Sequence, residues 1–370
     1  MTRYRLAYLV FVLGMGCLLL LGERARACTG ITLRAKDGAV VFGRTLEWGA
    51  FDLNSRLVVI PRGLEFQSRL QDGKVGRSWK ATYGAVGLDV LEKDYVVDGM
   101  NEKGFAVNVF YHPGFAEYGA LDPSNTSSTI EVLDLCQYLL TTCATVEEAR
   151  KAMAGIAVTA VVEPAIGIAP PVHLIATEPS GKAIVIEFTK GVNQVYDAPL
   201  GAITNAPNYD WHIINLRNYL NLSPVGIPDR NIEEMNFRPL GGGSGMIGLP
   251  GDFTPPSRFV RAVAFSKTAR PTDTGSETMV ELFRILDNFN VPLGAAEGEG
   301  EVKTKGMRSS TIWTTAYDTK NLVLRYHTQH NRRIRQVDLK KIDFTKARGL
   351  VRLPLDKEKN EDMEELTPSP

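Results

Sequence analysis

The sequence predicts an α+β fold: two β-sheets with helices layered outside them. Three observations predict it. Alternating apolar stretches split by Gly, Asp and Asn turn signals fall at both ends of the chain and in its middle. Helix-start signals fall in two separate blocks between those strand regions. The resulting order matches neither a strict strand–helix–strand alternation nor an all-β chain, and no internal repeat is visible.

The first hairpin runs out through Ile31 and Leu33, turns at Lys36-Asp37-Gly38 and returns through Val40, Val41 and Phe42. Asp-Gly between apolar runs is a strong hairpin signal. A two-residue loop at Asp37-Gly38 pairs Cys28 with Glu47 and Ile31 with Arg44, which sets Arg44 on the face opposite Cys28. A bulge or longer loop turns Arg44 toward Cys28. In either case Arg44 and Glu47 stand at the cysteine's end of the hairpin. Further strands are predicted at 57–60 and 104–111, at 173–177 and 183–188 across Pro179-Ser180-Gly181, and at 311–316 and 322–327. Ser128 with Glu131 forms a capping box before an apolar run to Leu140, and Thr145 with Glu148 opens a helix that Gly155 ends. Ser257 is the predicted cap of a helix through 260–265, and Ser276 of one through 279–289.

Composition narrows the class of protein. Of 370 residues, 44% are apolar and 23% charged, the balance of a globular chain with a sizeable core. Lys+Arg and Asp+Glu both number 42, so net charge gives no pull toward nucleic acid or an acidic membrane. The run 6–21 is the one long apolar stretch and is short for a membrane span. With Arg3 and Arg5 before it and Ala25-Arg26-Ala27 after it, residues 1–27 read as a secretory signal peptide. The expected location is periplasmic or secreted, with residues 28–355 as one catalytic domain, no membrane attachment after cleavage, and 356–370 as a charged, disordered tail.

Cleavage after Ala27 would make Cys28 the first residue of the mature protein. A cysteine with a free α-amine holds nucleophile and general base in one residue, and an α-amine titrates near about 7.7–8.0. Two other uses compete: a lipid-modified cysteine, although Ala25 and Arg26 suit that signal poorly, and an ordinary buried thiol. Cys136 and Cys143 lie seven apart on a predicted helix, a rise of roughly 10 Å and too far for a disulfide. Of the four cysteines Cys17 would leave with the signal peptide, and the three that remain, without a clear pair, leave at least one free thiol, for which Cys28 is the candidate.

Other chemistries lack their marks. His112, His173, His212, His327 and His330 form no metal-binding motif, so neither metal nor cofactor is expected. No G-x-S-x-G elbow is present, and the glycine-rich run 241–245 lacks the Lys of a phosphate loop. Asn205 follows an apolar step and sits near Pro207, where its amide can serve an oxyanion or simply an Asx turn. Arg258 falls in the first turn of a predicted helix, where an acid is favoured, so it has either a tertiary use or a surface position.

Five segments in order resemble the choloylglycine hydrolase family of penicillin V acylases and bile salt hydrolases. They are Cys28-Thr29-Gly30, 42–48 (FGRTLEW), 98–104 (DGMNEKG), 204–212 with Thr204-Asn205-Ala206-Pro207 and Asp210-Trp211-His212, and 248–258 with Ser257-Arg258. The resemblance implies a four-layer αββα N-terminal nucleophile hydrolase fold. It implies Cys28 as nucleophile and base, Arg44 beside the thiol, Glu47 at the α-amine, and Arg258 in charge balance. Asn205 and a backbone N–H near Tyr111 are the implied oxyanion hole. Glu47 replaces an aspartate found in many members, as in the Gram-negative branch, and Tyr111 stands where bile salt hydrolases commonly carry asparagine. Trp48 beside the site favours a flat or apolar acyl group.

The expected function is an exported amidase that cleaves small-molecule linear amides through a thioester. Penicillin V acylase with N-acyl homoserine lactone acylase activity is one reading, conjugated bile salt hydrolase a second, and a lipid-anchored binding protein with acylated Cys28 a third. The resemblance also allows a homotetramer.

Overall fold

The structure is a computed structural model and describes residues 28–49, 51–296, 310–360 and 363–367. The predicted signal peptide lies outside the described residues. The first hairpin is β1 (Cys28–Arg34) and β2 (Val40–Trp48). Four more strands are β3 (Arg56–Ile60), β4 (Ala85–Val90), β5 (Tyr95–Asn101) and β6 (Ala106–Tyr111). The middle of the chain supplies β7 (Val172–Thr177), β8 (Ala183–Thr189), β9 (Val192–Asp197) and the two-residue β10 (Ala202–Ile203). The last four are β11 (Ser310–Asp318), β12 (Val323–Thr328), β13 (Arg335–Asp338) and β14 (Val351–Pro354).

Two antiparallel sheets result. One runs β10-β1-β2-β11-β12-β13, the other β9-β8-β7-β6-β5-β4-β3-β14. Helices α1 (Val132–Thr142) and α2 (Val146–Ala154) cover the outer face of the eight-stranded sheet. There a Cβ at Gly99 would lie 2.8 Å from Leu140, and Asn101 Nδ2 donates to the carbonyls of Leu140 and Cys143 at the end of α1. Three more helices are α3 (Tyr209–Asn215), α4 (Pro255–Thr268) and α5 (Gly275–Leu286). Both α4 and α5 pack outside the six-stranded sheet, where a Cβ at Gly43 would meet Leu282 at 2.7 Å. The order helix, sheet, sheet, helix is the αββα architecture that the family resemblance implied.

The first hairpin corrects the regular two-residue turn. Ala35 N–H donates to the Ala39 carbonyl, so the loop is Lys36-Asp37-Gly38, with Gly38 at φ +85°. Three-residue loops of this kind end on a left-handed residue, which glycine adopts without strain. The extra residue moves the register by one. Cys28 pairs with Leu46, not Glu47, and Gly30 pairs with Arg44, not Ile31 with Arg44. Because the side-chain period of a strand is two, the slip turns Arg44 onto the face of Cys28.

The remaining elements largely follow the sequence. The predicted strands 57–60, 173–177, 183–188, 311–316 and 322–327 all lie inside or within a residue of observed ones. Thr145 caps α2 through Glu148 N–H, as expected. Three other caps differ. Glu131, not Ser128, caps α1 through Leu133 N–H, because residues 129–131 form a short strand instead of helix. The N-cap positions of α4 and α5 are Thr254 and Thr274; Ser257 and Ser276 sit inside the first turns. At the far end, Asp356 accepts from Arg335 and Lys359 pairs with Asp52, so the start of the expected tail holds side-chain partners.

Candidate active site

Cys28 opens β1 and is 4% exposed. Its sulfur-bearing face looks into the space between the two sheets, which is shared with Arg44 and Phe110. Gly30 keeps that space closed: a Cβ there would lie 2.8 Å from each of Ile203, Phe110 and Phe42. All three cysteines among the described residues are buried and free.

Arg44 is fully buried, with its guanidinium 4.1 Å from the centre of the Phe110 ring and 5.3 Å from that of Trp313. It donates to the Val109 carbonyl through Nη1 and to the Thr45 carbonyl at 3.2 Å, while Nη2 has no protein partner among the described residues. A buried cation needs a counter-charge. Asp98, also fully buried, supplies it nearby and is held by Thr315 Oγ1 at 2.6 Å and by the Asn108 amide. Burial pushes the Asp98 carboxyl up, and Arg44 opposes that. Asp98 belongs to the 98–104 segment but has no role assigned by the sequence, because its electrostatic relation to Arg44 spans 54 positions of chain and two sheets.

Arg258 ties the site together. Its Nη1 donates to the Cys28 carbonyl and, at 2.9 Å, to Thr29 Oγ1; its Nη2 reaches Asn205 Oδ1 at 2.6 Å. Nε donates to the Phe253 carbonyl at 2.8 Å. Being 1% exposed, it is the tertiary cation and not a surface charge, and burial pushes its guanidinium down to about 10. The planar fork suits this task, since one group spans several acceptors at once.

Asn205 follows β10 at the edge of the six-stranded sheet. Its Oδ1 accepts from Cys28 N at 2.8 Å, and its Nδ2 donates to the Tyr111 carbonyl at 2.7 Å. These partners lie 177 and 94 positions away, so the residue is not making a local Asx turn. Glu47 is 2% exposed and accepts from Thr311 Oγ1 at 2.6 Å, while its Oε2 has no protein partner among the described residues. Burial pushes its carboxyl up to about 7; the Thr311 hydroxyl and the charge of Arg258 oppose that. The Cys28 nitrogen, a peptide N–H with one hydrogen, goes to Asn205 and not to Glu47.

One pocket gathers most of these groups. Cys28, Arg44, Glu47, Trp48 and Tyr111 line it together with Leu46, Leu53, Val97, Phe110, Leu133, Ile166 and Val172. Its wall is almost wholly apolar, with Trp48 packed edge-on against Phe51 at 5.4 Å. Asn205 and Arg258 stand behind Cys28 and do not line this pocket.

The histidines depart from expectation. His112, His173 and Glu187 do cluster, with ligand-type atoms within 4.8 Å of one another. The two imidazoles are stacked 4.2 Å apart and 3° from parallel, so their in-plane lone pairs do not converge on one point. Both His173 nitrogens already face Glu187 and the Thr204 carbonyl. The donor set therefore fits a metal poorly, and no step is drawn through one.

Comparisons with known proteins identify the family. The profile of the linear amide C–N hydrolases, choloylglycine hydrolase family, matches residues 28–358. A bile salt hydrolase/transferase from Clostridium perfringens is 31% identical over 321 residues, covering 85% of this chain and 93% of that protein. A penicillin V acylase from Pectobacterium atrosepticum is 26% identical, covering 84% and 79%. In structure, a conjugated bile acid hydrolase variant from Clostridium perfringens superposes with a TM-score of 0.77 at 26% identity, covering 92% of this chain and all of that one. Penicillin V acylase from Agrobacterium tumefaciens shares the fold, with a TM-score of 0.70 at 22% identity, covering 89% and 92%. The chain is an amide hydrolase and belongs to the choloylglycine hydrolase family.

Proposed function

We propose that this chain is an exported cysteine N-terminal nucleophile hydrolase that removes apolar acyl groups from small amides, in the manner of a penicillin V acylase and with activity on N-acyl homoserine lactones. One observation carries the reading: Cys28 stands at an apolar pocket, with Arg44 and Glu47 lining the same space and Asn205 and Arg258 bonded to its backbone.

In the processed protein, Cys28 Sγ attacks the amide carbonyl and the α-amine takes the thiol proton. Collapse of the tetrahedral intermediate breaks the C–N bond, and the α-amine returns that proton to the leaving amine. The acyl group remains as a thioester. A water then gives its proton to the α-amine, attacks the thioester, and releases the acid with a restored thiol. An α-ammonium has three hydrogens where the peptide has one. Asn205 Oδ1 can take one, and Glu47 Oε2, which has no protein partner among the described residues, is the proposed acceptor of another. The Asn205 amide and a backbone N–H near Tyr111 are the proposed donors to the oxyanion, and removal of such a donor lowers the rate by about 10²–10³.

The predominantly apolar wall and Trp48 favour flat or aliphatic acyl groups, with Arg44, Glu47 and Glu163 the charged side chains in the lining. Conjugated bile salts are the second reading, favoured by the 31% identity to the Clostridium perfringens protein. A panel of penicillin V, long-chain acyl homoserine lactones, glycocholate and taurocholate tests both. The proposal requires a higher kcat/KM on the first two, and faster turnover of the bile salts would replace it with the second reading. We also propose self-association, up to the homotetramer, through the exposed apolar residues Ile232, Met235 and Phe237 of the small hairpin 230–237. Light scattering of the purified protein checks the assembly.

A further inference from the structure

Strand β10 is only two residues long, and its ladder to β1 ends at Ile203. The next two residues, Thr204 and Asn205, carry the oxyanion candidate beyond the support of the sheet. Two buried imidazoles meet the carbonyls there. His173 Nε2 is 3.1 Å from the Thr204 carbonyl and His212 Nε2 is 2.9 Å from the Asn205 carbonyl.

A carbonyl only accepts, so each imidazole carries hydrogen on Nε2. Burial pushes both imidazoles down to about 4, which leaves each neutral with a bare Nδ1. For His212 that Nδ1 has no protein partner among the described residues, and the ring stacks on Phe259 at 4.7 Å. For His173 the Nδ1 faces Glu187 Oε1 at 3.1 Å, and a bare nitrogen needs a donor there. Glu187 can be that donor, because burial holds its carboxyl up to about 7. Its Oε1 also accepts from Tyr209 N–H at 2.9 Å, which anchors the start of α3 to the same group.

We propose that His212 and His173, the latter oriented by Glu187, are positioning residues that hold the Thr204–Asn205 backbone so that the Asn205 amide meets Cys28, Arg258 and Tyr111 in one geometry. The proposal rests on Cys28 being the nucleophile and Asn205 an oxyanion donor. Small displacements of such a donor matter, since a shift of about 1 Å can lower a rate by about 10².

Steady-state kinetics of His212→Phe and His212→Gln on the best amide substrate test it. Phenylalanine keeps the ring packing on Phe259 and removes the donor; glutamine keeps an N–H at similar reach. The expected result is a fall in kcat of about 10–100-fold for H212F, with KM within about 2-fold, and recovery of most of kcat in H212Q. Thermal unfolding is followed in both. Wild-type kcat in folded H212F, or equal loss in folded H212F and H212Q, overturns the proposal. If H212F does not fold, H212Q and His173→Gln decide it: each must keep kcat within about 10-fold of wild type, and a greater loss in either folded protein overturns it. Loss of wild-type activity on chelation, restored by Zn²⁺, would instead make the His112, His173 and Glu187 cluster a metal site. Cys28→Ala is assayed alongside: turnover by that variant is the failure of the nucleophile reading on which the proposal rests, whereas an inactive Cys28→Ala with wild-type kcat in H212F is the failure of the positioning role alone.

Discussion

Gly30 stands directly across the β1–β2 ladder from Arg44, and this pairing sets the arginine on the same face as Cys28. Any side chain at Gly30 collides with Ile203, Phe110 and Phe42, so the residue is fixed by contact and not by backbone angle. Gly30→Ala is expected to destabilise the fold by about 1–3 kcal/mol, the usual effect of overpacking. Urea unfolding of the two proteins measures it. No change in midpoint would show that the sheets separate easily at this point.

Arg258 spans three acceptors, the Cys28 carbonyl, Thr29 Oγ1 and Asn205 Oδ1, with two nitrogens. Lysine brings the charge without the fork. Arg258→Lys is therefore expected to lose kcat nearly as fully as Arg258→Ala, by about 10²-fold or more. Kinetics on folded variants check this, and a lysine variant near wild type would reduce Arg258 to a plain counter-charge.

Glu47 gives a pH signature with a definite sign. Its folded value of about 7 lies above the ordinary 4.5, so the folded state holds the proton over that window while the unfolded state has lost it. Stability from this group is whole below about pH 4.5 and is lost as pH rises through about 7. With Cys28 in peptide linkage, Glu47→Gln should gain about 3 kcal/mol relative to wild type between pH 4 and 8. Chemical denaturation at the two pH values measures the difference. In the processed enzyme the ionised carboxylate is the useful form, so activity falls on the acid side, and E47Q abolishes that limb along with most turnover.

If the proposed reading holds, the pocket wall sets acyl length. Val172 lines it at the start of β7, opposite Tyr111 in the ladder. Val172→Phe fills that space, so turnover of a long-chain acyl amide should fall by about 10-fold or more while a short-chain one stays near wild type, the scale of discrimination by a few methylenes. Equal effects on both chain lengths would place the acyl group elsewhere.

Much of this was readable in the chain because the signals are local. The capping box at Thr145 and Glu148, the turn at Pro179-Ser180-Gly181 and the late hairpin all rest on neighbours in sequence. The register of the first hairpin was not, because Asp37-Gly38 suits two-residue and three-residue loops alike, and one residue inverts the faces. Ser128 failed as a cap because residues 129–131 pair with a strand 28 positions later, a long-range contact that overrides the motif. Cys28, Arg44, Glu47, Asn205 and Arg258, singled out by type and order, are brought together by the fold. Asp98, His173, His212 and Glu187 were not, since each meets its partners only when the two sheets close.

The central claim is that Cys28 forms the acyl-enzyme. The direct measurement is intact mass of the protein beginning at Cys28, quenched in the first turnover with a slow acyl amide, followed by peptide mapping. The account predicts a mass gain equal to one acyl group, located on the peptide that starts with Cys28, removed by hydroxylamine and absent in Cys28→Ala. Turnover without that adduct, or an adduct that persists in the alanine variant, would contradict it.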